Sequence, residues 1–278
     1  GTRDEGLERE TVLQALLDRH DMLRAVDAES GLRTREPGTV RAVDVLRRVD
    51  TDPADTAGTE AAAALERVDP TTGSMLQAVW FTGGEPILLL CIHHLATDVV
   101  SWYVILSELA RIATELDAGR EPALSAEYTT YRQWGQLLAE RAHGDEVTAQ
   151  RAYWKSQLAA PDPVLAARRP DPATDTWASL RLTDVATEVS TTGNLLARTD
   201  SAAIELRDFL LAALTVTLTS WRVRRGQPAG DGALIALEGH GREDALLGTG
   251  VDTSATIGWF TSVFPVRLGA GTALDVDA

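Results

Sequence analysis

Two apolar runs, "MLQAVWF" (Met75–Phe81) and "ILLLCI" (Ile87–Ile92), flank a turn that holds Gly83, Gly84 and Pro86. Strong turn formers between two runs of strand length predict a hairpin. The second run is continuous rather than alternating, which suits a strand covered on both faces. Directly beyond it the period changes. Trp102, Ile105, Leu106, Leu109, Ile112, Ala113 and Leu116 recur at three and four residues, the spacing of a helix, with Asp98 at the expected N-cap. A strand that passes into a helix within a few residues restricts the chain to folds that mix the two, so the fold class is α/β.

The rest of the chain extends this pattern. "LERETVLQALLDRHDMLR" places Val12, Leu13, Leu16, Leu17 and Leu23 on one helical face. "TVRAVDVL" (Thr39–Leu46) reads as a strand and "TEAAAALERV" as a helix. "YTTYRQWGQLLAERA" and "TAQRAYWKSQLA" predict two more amphipathic helices. "APDPVLAARRPDPATDT" carries four prolines and no period, as a linker would. Beyond it, "WASLRLTDV" reads as a strand and "IELRDFLLAALTVTLTSWRVRR" as a helix stopped by Gly226. "GALIALEGHGRE" reads as a buried strand running into a glycine-rich turn, and "TIGWFTSVFPVRL" is extended and apolar. Two related lobes, each of helices with a central strand ending in polar groups, are expected. They take residues 1–160 and 177–278, joined by a linker at 161–176.

Composition narrows the function. The 278 residues carry a formal charge of −15, a surface that repels phosphate backbones and argues against nucleic-acid binding. The single cysteine allows no disulfide framework within the chain, and Cys91 reads as a small core residue. No apolar run approaches the roughly 20 residues of a membrane span, and the polar start has no signal-peptide core. The expected location is cytoplasmic, away from membranes.

Of five histidines, His93 and His94 are adjacent at the strand end. Neighbours on a strand point to opposite faces, so one is expected inward, held by hydrogen bonds, and the other toward a cleft. Zinc needs three or four convergent ligands, and neither H-E-x-x-H spacing nor a cysteine cluster is present, so no metal is expected. Two satisfied core histidines are the plain alternative. Ser101 lacks the G-x-S-x-G context of a nucleophile and reads as a capping or packing residue.

The pattern His93-His94-x-x-x-Asp98-x-x-Ser101-Trp102 resembles the signature of the condensation-domain superfamily of nonribosomal peptide synthetases. The Ser-Trp pair, "EGHGRE" (Glu238–Glu243) and "DTSATIGWFTSVFPVRL" (Asp252–Leu268) are similar to the epimerization branch, and "YRQWGQLL" and "YWKSQL" agree with it. The likeness runs from about residue 7 to 268. Val99 stands where the family often has glycine. The resemblance implies a chloramphenicol-acetyltransferase-like pseudo-dimer of two α+β, two-layer lobes around a central tunnel. Against that pattern, an opening segment and the end of the second lobe are expected to be lacking. It also implies a peptidyl carrier protein domain and neighbouring synthetase modules as partners. The substrate is then an aminoacyl or peptidyl thioester presented on the carrier's 4'-phosphopantetheine, with no cofactor of the domain's own.

Epimerization removes the α-hydrogen beside a thioester carbonyl and returns a proton to the other face. His94 fits the general base on the first lobe, since imidazole titrates near operating pH. Glu238 is the candidate on the second lobe, in a setting expected to be desolvated; its alternative is a carboxylate satisfying turn N–H groups. His93 and His240 are supporting residues, with His240, Gly239 and Gly241 shaping the turn. Asp98 is held as an anion at a helix start, which makes it a poor base, and the resemblance pairs it with Arg242. Ser101, Trp102, Trp259 and Phe260 are candidates to line the tunnel, with ordinary core burial the alternative for the aromatics. A condensation domain that forms peptide bonds shares the first motif. A non-catalytic member that recruits a partner protein is the third reading.

Overall fold

The computed structural model describes residues 2–29, 31–122, 127–159, 165, 167–201, 203–228 and 232–269. The elements run α1 (Thr2–Arg19), β1 (Ala25–Ala28), β2 (Gly31–Thr34), α2 (Ala42–Val45), β3 (Leu46–Val49), α3 (Pro53–Arg67), β4 (Leu76–Phe81) and β5 (Ile87–Ile92). They continue with α4 (Val99–Asp117), α5 (Tyr131–Arg141), α6 (Asp145–Ala149), α7 (Arg151–Ala159), α8 (Val189–Ser201), α9 (Leu206–Arg224), β6 (Ala233–Gly239), α10 (Asp244–Leu247) and β7 (Ser262–Leu268). The chain divides into two compact units, residues 1–147 with 239–262, and residues 148–238 with 263–278.

In the first unit, β3, β4 and β5 form a sheet in that order. β3 runs parallel to β4, and β4 pairs antiparallel with β5 from Leu76↔Ile92 to Phe81↔Ile87. The expected hairpin is therefore present. The strand covered on both faces is β4, whose six residues are all buried, whereas β5 lies at the edge and is mostly half-buried. A middle strand has neighbours on both sides, and that placement, not the apolar run, decides burial.

Alternation along β4 splits its side chains between two clusters. Leu76 and Ala78 pack with Leu13, Leu16 and Leu17 of α1 and Ile105 of α4. Val79 and Phe81 pack with Ala64 of α3 and Cys91. Helices therefore cover both faces of this sheet. Each fully buried leucine stabilises the unit by roughly 1.5–3 kcal/mol.

Three sequence readings are corrected here. Thr39–Leu46 is not a strand: Ala42–Val45 makes one helical turn, and the strand starts at Leu46. Gln14 of α1 accepts from the Ala42 N–H at 2.8 Å and donates to the Val40 carbonyl at 3.1 Å, which takes up backbone groups that a sheet would have used. The helix expected at Thr59 starts six residues earlier, where Asp52 caps Ala54 and Pro53 holds the first position. On α4 the buried stripe is Ser101, Ile105, Glu108 and Ile112, while Leu106 is exposed.

The second unit holds α7, α8, α9 and the β6–β7 pair. Gln157 of α7 accepts the Arg267 N–H through its side chain (3.2 Å) and the Arg267 Nε–H through its carbonyl (3.0 Å), and Trp154 meets Phe264 edge-on. Residues 161–164 and 166 of the expected linker lie outside the described residues. "WASLRLTDV" forms no strand; Trp177, Leu182 and Val185 are exposed, with no strand beside them among the described residues. α9 ends as expected: Gly226 (φ +68) donates to Val223 and Gln227 to Arg222, a Schellman pair. β6 is half-exposed rather than buried, with Ala233 its buried residue.

Candidate functional site

The site grows from the end of β5. The His93 N–H donates to the Met75 carbonyl at 2.9 Å, and the backbone then turns into a 3₁₀ segment at His94–Ala96. The half-buried His93 ring folds back, its Nδ1 accepting the Leu95 N–H at 3.2 Å. His94 is exposed, and its ring rests against Trp259 with centroids 4.9 Å apart at 46°. One ring of the pair is thus held by a hydrogen bond and the other is exposed.

Asp98 caps α4 as the sequence indicates and does much more. It is 3% exposed. Its Oδ1 accepts the Ser101 N–H at 2.8 Å and lies 2.7 Å from Ser101 Oγ, while its Oδ2 accepts the Phe260 N–H at 3.1 Å. Arg242 Nη2 stands 3.5 Å from Oδ1, so the expected partners do meet. Ser101 Oγ accepts from the Gly258 N–H (3.1 Å) and from Arg242 Nη2 (3.0 Å), and faces the Gly258 carbonyl at 3.0 Å. Arg242 Nη1 donates to the carbonyls of Thr253 (2.6 Å) and Thr256 (2.7 Å), with Cζ 3.8 Å from the Phe260 ring centroid. Burial pulls the guanidinium below its ordinary range and the Asp98 charge opposes that pull. A buried cation with a carboxylate, a hydroxyl and two carbonyls around it is a structural clamp, since both of its Nη groups are spent on fixed acceptors, while Nε is buried with no hydrogen-bond partner among the described residues.

Two of the tunnel-lining candidates are buried. Ser101 is fully buried within the clamp. Phe260, 2% exposed, packs against Tyr131, Trp134 and Arg242 as core. Trp102 is half-buried against the cluster under α1, and Trp259 is 45% exposed. In the second motif, His240 Nδ1 accepts the Arg242 N–H at 3.0 Å, and Gly241 (φ +67) passes so close to the Phe260 carbonyl that a Cβ would collide with it. Both therefore shape the turn, as expected. Glu238 belongs to the second unit, next to last on β6 and exposed rather than desolvated. In an alternating half-covered strand, its position falls on the open face.

One buried cluster escaped the sequence reading. His20, fully buried after α1, bonds Glu127 Oε1 through Nδ1 (3.0 Å) and Glu108 Oε2 through Nε2 (2.8 Å). Arg19 Nε donates to Glu108 Oε1 at 3.3 Å. Burial lowers the imidazole, but the two carboxylates outweigh it and hold His20 above its ordinary 6.5. Burial likewise pushes Glu108 up, and His20 and Arg19 bring it below 4.5 on balance. The signal available was Glu108 itself, a charge on the buried stripe of α4. Among the described residues, no group of three or more His, Cys, Asp or Glu converges as metal ligands would, and no helix is long and apolar enough to cross a membrane.

This sheet with its helices, the histidine pair at a strand end and the clamp behind it define a domain type with known relatives. The condensation-domain family matches residues 7–275, and the chain belongs to that family. Its fold is chloramphenicol-acetyltransferase-like, as in the solved members. It is 32% identical over 270 residues to a linear gramicidin synthase of Brevibacillus parabrevis, covering 91% of this chain and 5% of that protein, so it spans a small part of that relative's length. The crystal structure of the epimerization domain from the third module of tyrocidine synthetase B matches with a TM-score of 0.80 at 26% identity, covering 98% of this chain and 62% of that one. The first condensation domain of the calcium-dependent antibiotic synthetase shares the fold, with a TM-score of 0.64 at 19% identity over 94% of this chain and 59% of that one.

Proposed function

We propose that the chain epimerizes the α-carbon of an aminoacyl or peptidyl thioester carried on the phosphopantetheine of a peptidyl carrier protein domain, giving an L/D mixture. The observation that carries this reading is the clamp: Arg242, from the epimerization-like motif, lies 3.5 Å from Asp98 of the histidine motif, while His94 stays exposed beside it. The likeness to a solved epimerization domain supports the same choice. In the reaction, the exposed His94 imidazole takes the α-proton. The Cα–H electron pair passes into an enolate of the thioester, and a proton delivered through Glu238 to the other face of the carbon re-forms the C–H bond from that pair. The domain brings no cofactor or metal of its own; neighbouring synthetase modules supply the loaded carrier, in the cytoplasm. Residues 1–160 and 177–278 stand as the two lobes of this reading, joined by 161–176.

The test is α-hydrogen exchange in heavy water on a carrier-loaded substrate. Deuterium should enter the α-carbon from either enantiomer, and His94→Ala and Glu238→Gln should each lower the rate by at least about 10²-fold, the usual contribution of a positioned acid or base. Wild-type exchange in one variant removes that residue from the mechanism. The second reading, peptide-bond formation, rests on the condensation-domain match, since both activities share the histidine motif. Amide product with an acceptor-loaded carrier, and no deuterium, would establish it. A partner-recruiting platform would show neither.

A further inference from the structure

His94 is held in an unusual way. Among the described residues neither ring nitrogen has a hydrogen-bond partner; the imidazole's one ring contact is the Trp259 indole. A working histidine is ordinarily oriented by a hydrogen bond at its second nitrogen. Here the orienting surface is an aromatic ring tilted 46° to the imidazole, and the backbone that presents it is pinned on each side. Gly258 gives its N–H to Ser101 Oγ and turns its carbonyl to the same oxygen. The Trp259 carbonyl accepts from Tyr131 OH at 2.8 Å, and the Phe260 N–H is held by Asp98. A Cβ at Gly258 would run into the Tyr131 ring, so the close approach requires glycine. Three successive residues are fixed while the Trp259 side chain itself projects, almost half exposed, against His94.

We infer that Trp259 is the positioning residue of His94: its indole sets the imidazole plane and leaves both ring nitrogens open to substrate. The centroid separation of 4.9 Å is that of a paired ring contact. When the ring takes up a proton, the same indole face lies against a cation, an attraction available only in the charged state. This gives the clamp a second task. Asp98, Ser101 and Tyr131 do not touch the reacting carbon; they fix the backbone from which Trp259 aims the base. The inference rests on the epimerase reading for its kinetic consequence, but not for the ring contact.

The experiment pairs ring-labelled histidine NMR with exchange kinetics on Trp259→Leu and Trp259→Phe. His94 is assigned by its loss in His94→Ala. In Trp259→Leu the His94 ring C–H signals should lose the ring-current displacement of the indole, and kcat for α-hydrogen exchange should fall about ten-fold with KM little changed, as expected when a base is misaimed and binding is not. Trp259→Phe, which restores an aromatic face, should recover most of both. Unmoved His94 signals in Trp259→Leu overturn the inference whatever the reaction is. Moved signals with wild-type kcat overturn the positioning role while leaving the contact. If His94 signals behave as expected but no protein exchanges the α-hydrogen, the epimerase reading and the kinetic role fail together and the ring contact stands.

Discussion

The two compact units treat their apolar residues differently. The first buries Leu13, Leu16, Leu17, Ile105 and Leu76, Ala78, Val79 and Phe81 of β4 in clusters on both sides of one sheet. In the second, among the described residues, buried apolar side chains come down to Ala233, while Phe209, Leu210, Leu214 and Val216 of α9 are exposed. Buried polar groups occur in both units, Thr215 and Arg222 among them in the second. The first unit holds two ionic clusters, Asp98–Ser101–Arg242 and Arg19–His20–Glu108–Glu127. Charges paired tightly need a dry core around them, and the first unit supplies it for both clusters.

The sharpest way to break this contrast is at His20. His20→Leu leaves Glu108 and Glu127 facing a lost cation in a buried space, and should cost about 3–5 kcal/mol in urea unfolding at neutral pH. The wild type should also show a pH signature. His20 is raised, so its contribution is complete below 6.5 and is lost as pH climbs through the higher folded value. Glu108 is depressed, so its contribution is present above 4.5 and is lost as pH falls through the lower folded value. Stability from this cluster is therefore greatest between those limits. A variant with wild-type stability and the same alkaline decline would show that the cluster does not hold the unit.

Asp98→Ala should come next, at about 3 kcal/mol, since Arg242 keeps two carbonyls and the Ser101 hydroxyl when its carboxylate partner goes. Loss of folded protein should outweigh loss of any chemical step. A protein that melts normally but is inactive would instead place Asp98 in the reaction. The smallest effect belongs to the second unit. Leu210→Ser on exposed α9 should stay within about 0.5 kcal/mol, as surface changes do. A cost well above that would mean Leu210 is covered in solution, and the contrast between the units would narrow.

How far the chain could be read depended on the range of the forces involved. The helix cap at Asp98, the hairpin at Gly83–Gly84 and the α9 stop at Gly226 are set by residues within a turn of one another, so sequence alone determined them. The motif likeness carried the Asp98–Arg242 pair. Other features needed the assembled chain. Gln14 converts Ala42–Val45 to a helical turn from 28 residues away. His20 finds its carboxylates at Glu108 and Glu127, 88 and 107 residues on. β4 rather than β5 is sealed because it lies in the middle, and Phe260 is core while Trp259 beside it projects toward His94. Periodicity and capping are short-range and legible in order; burial and charge pairing depend on which distant segments arrive, and only the tertiary structure decides that.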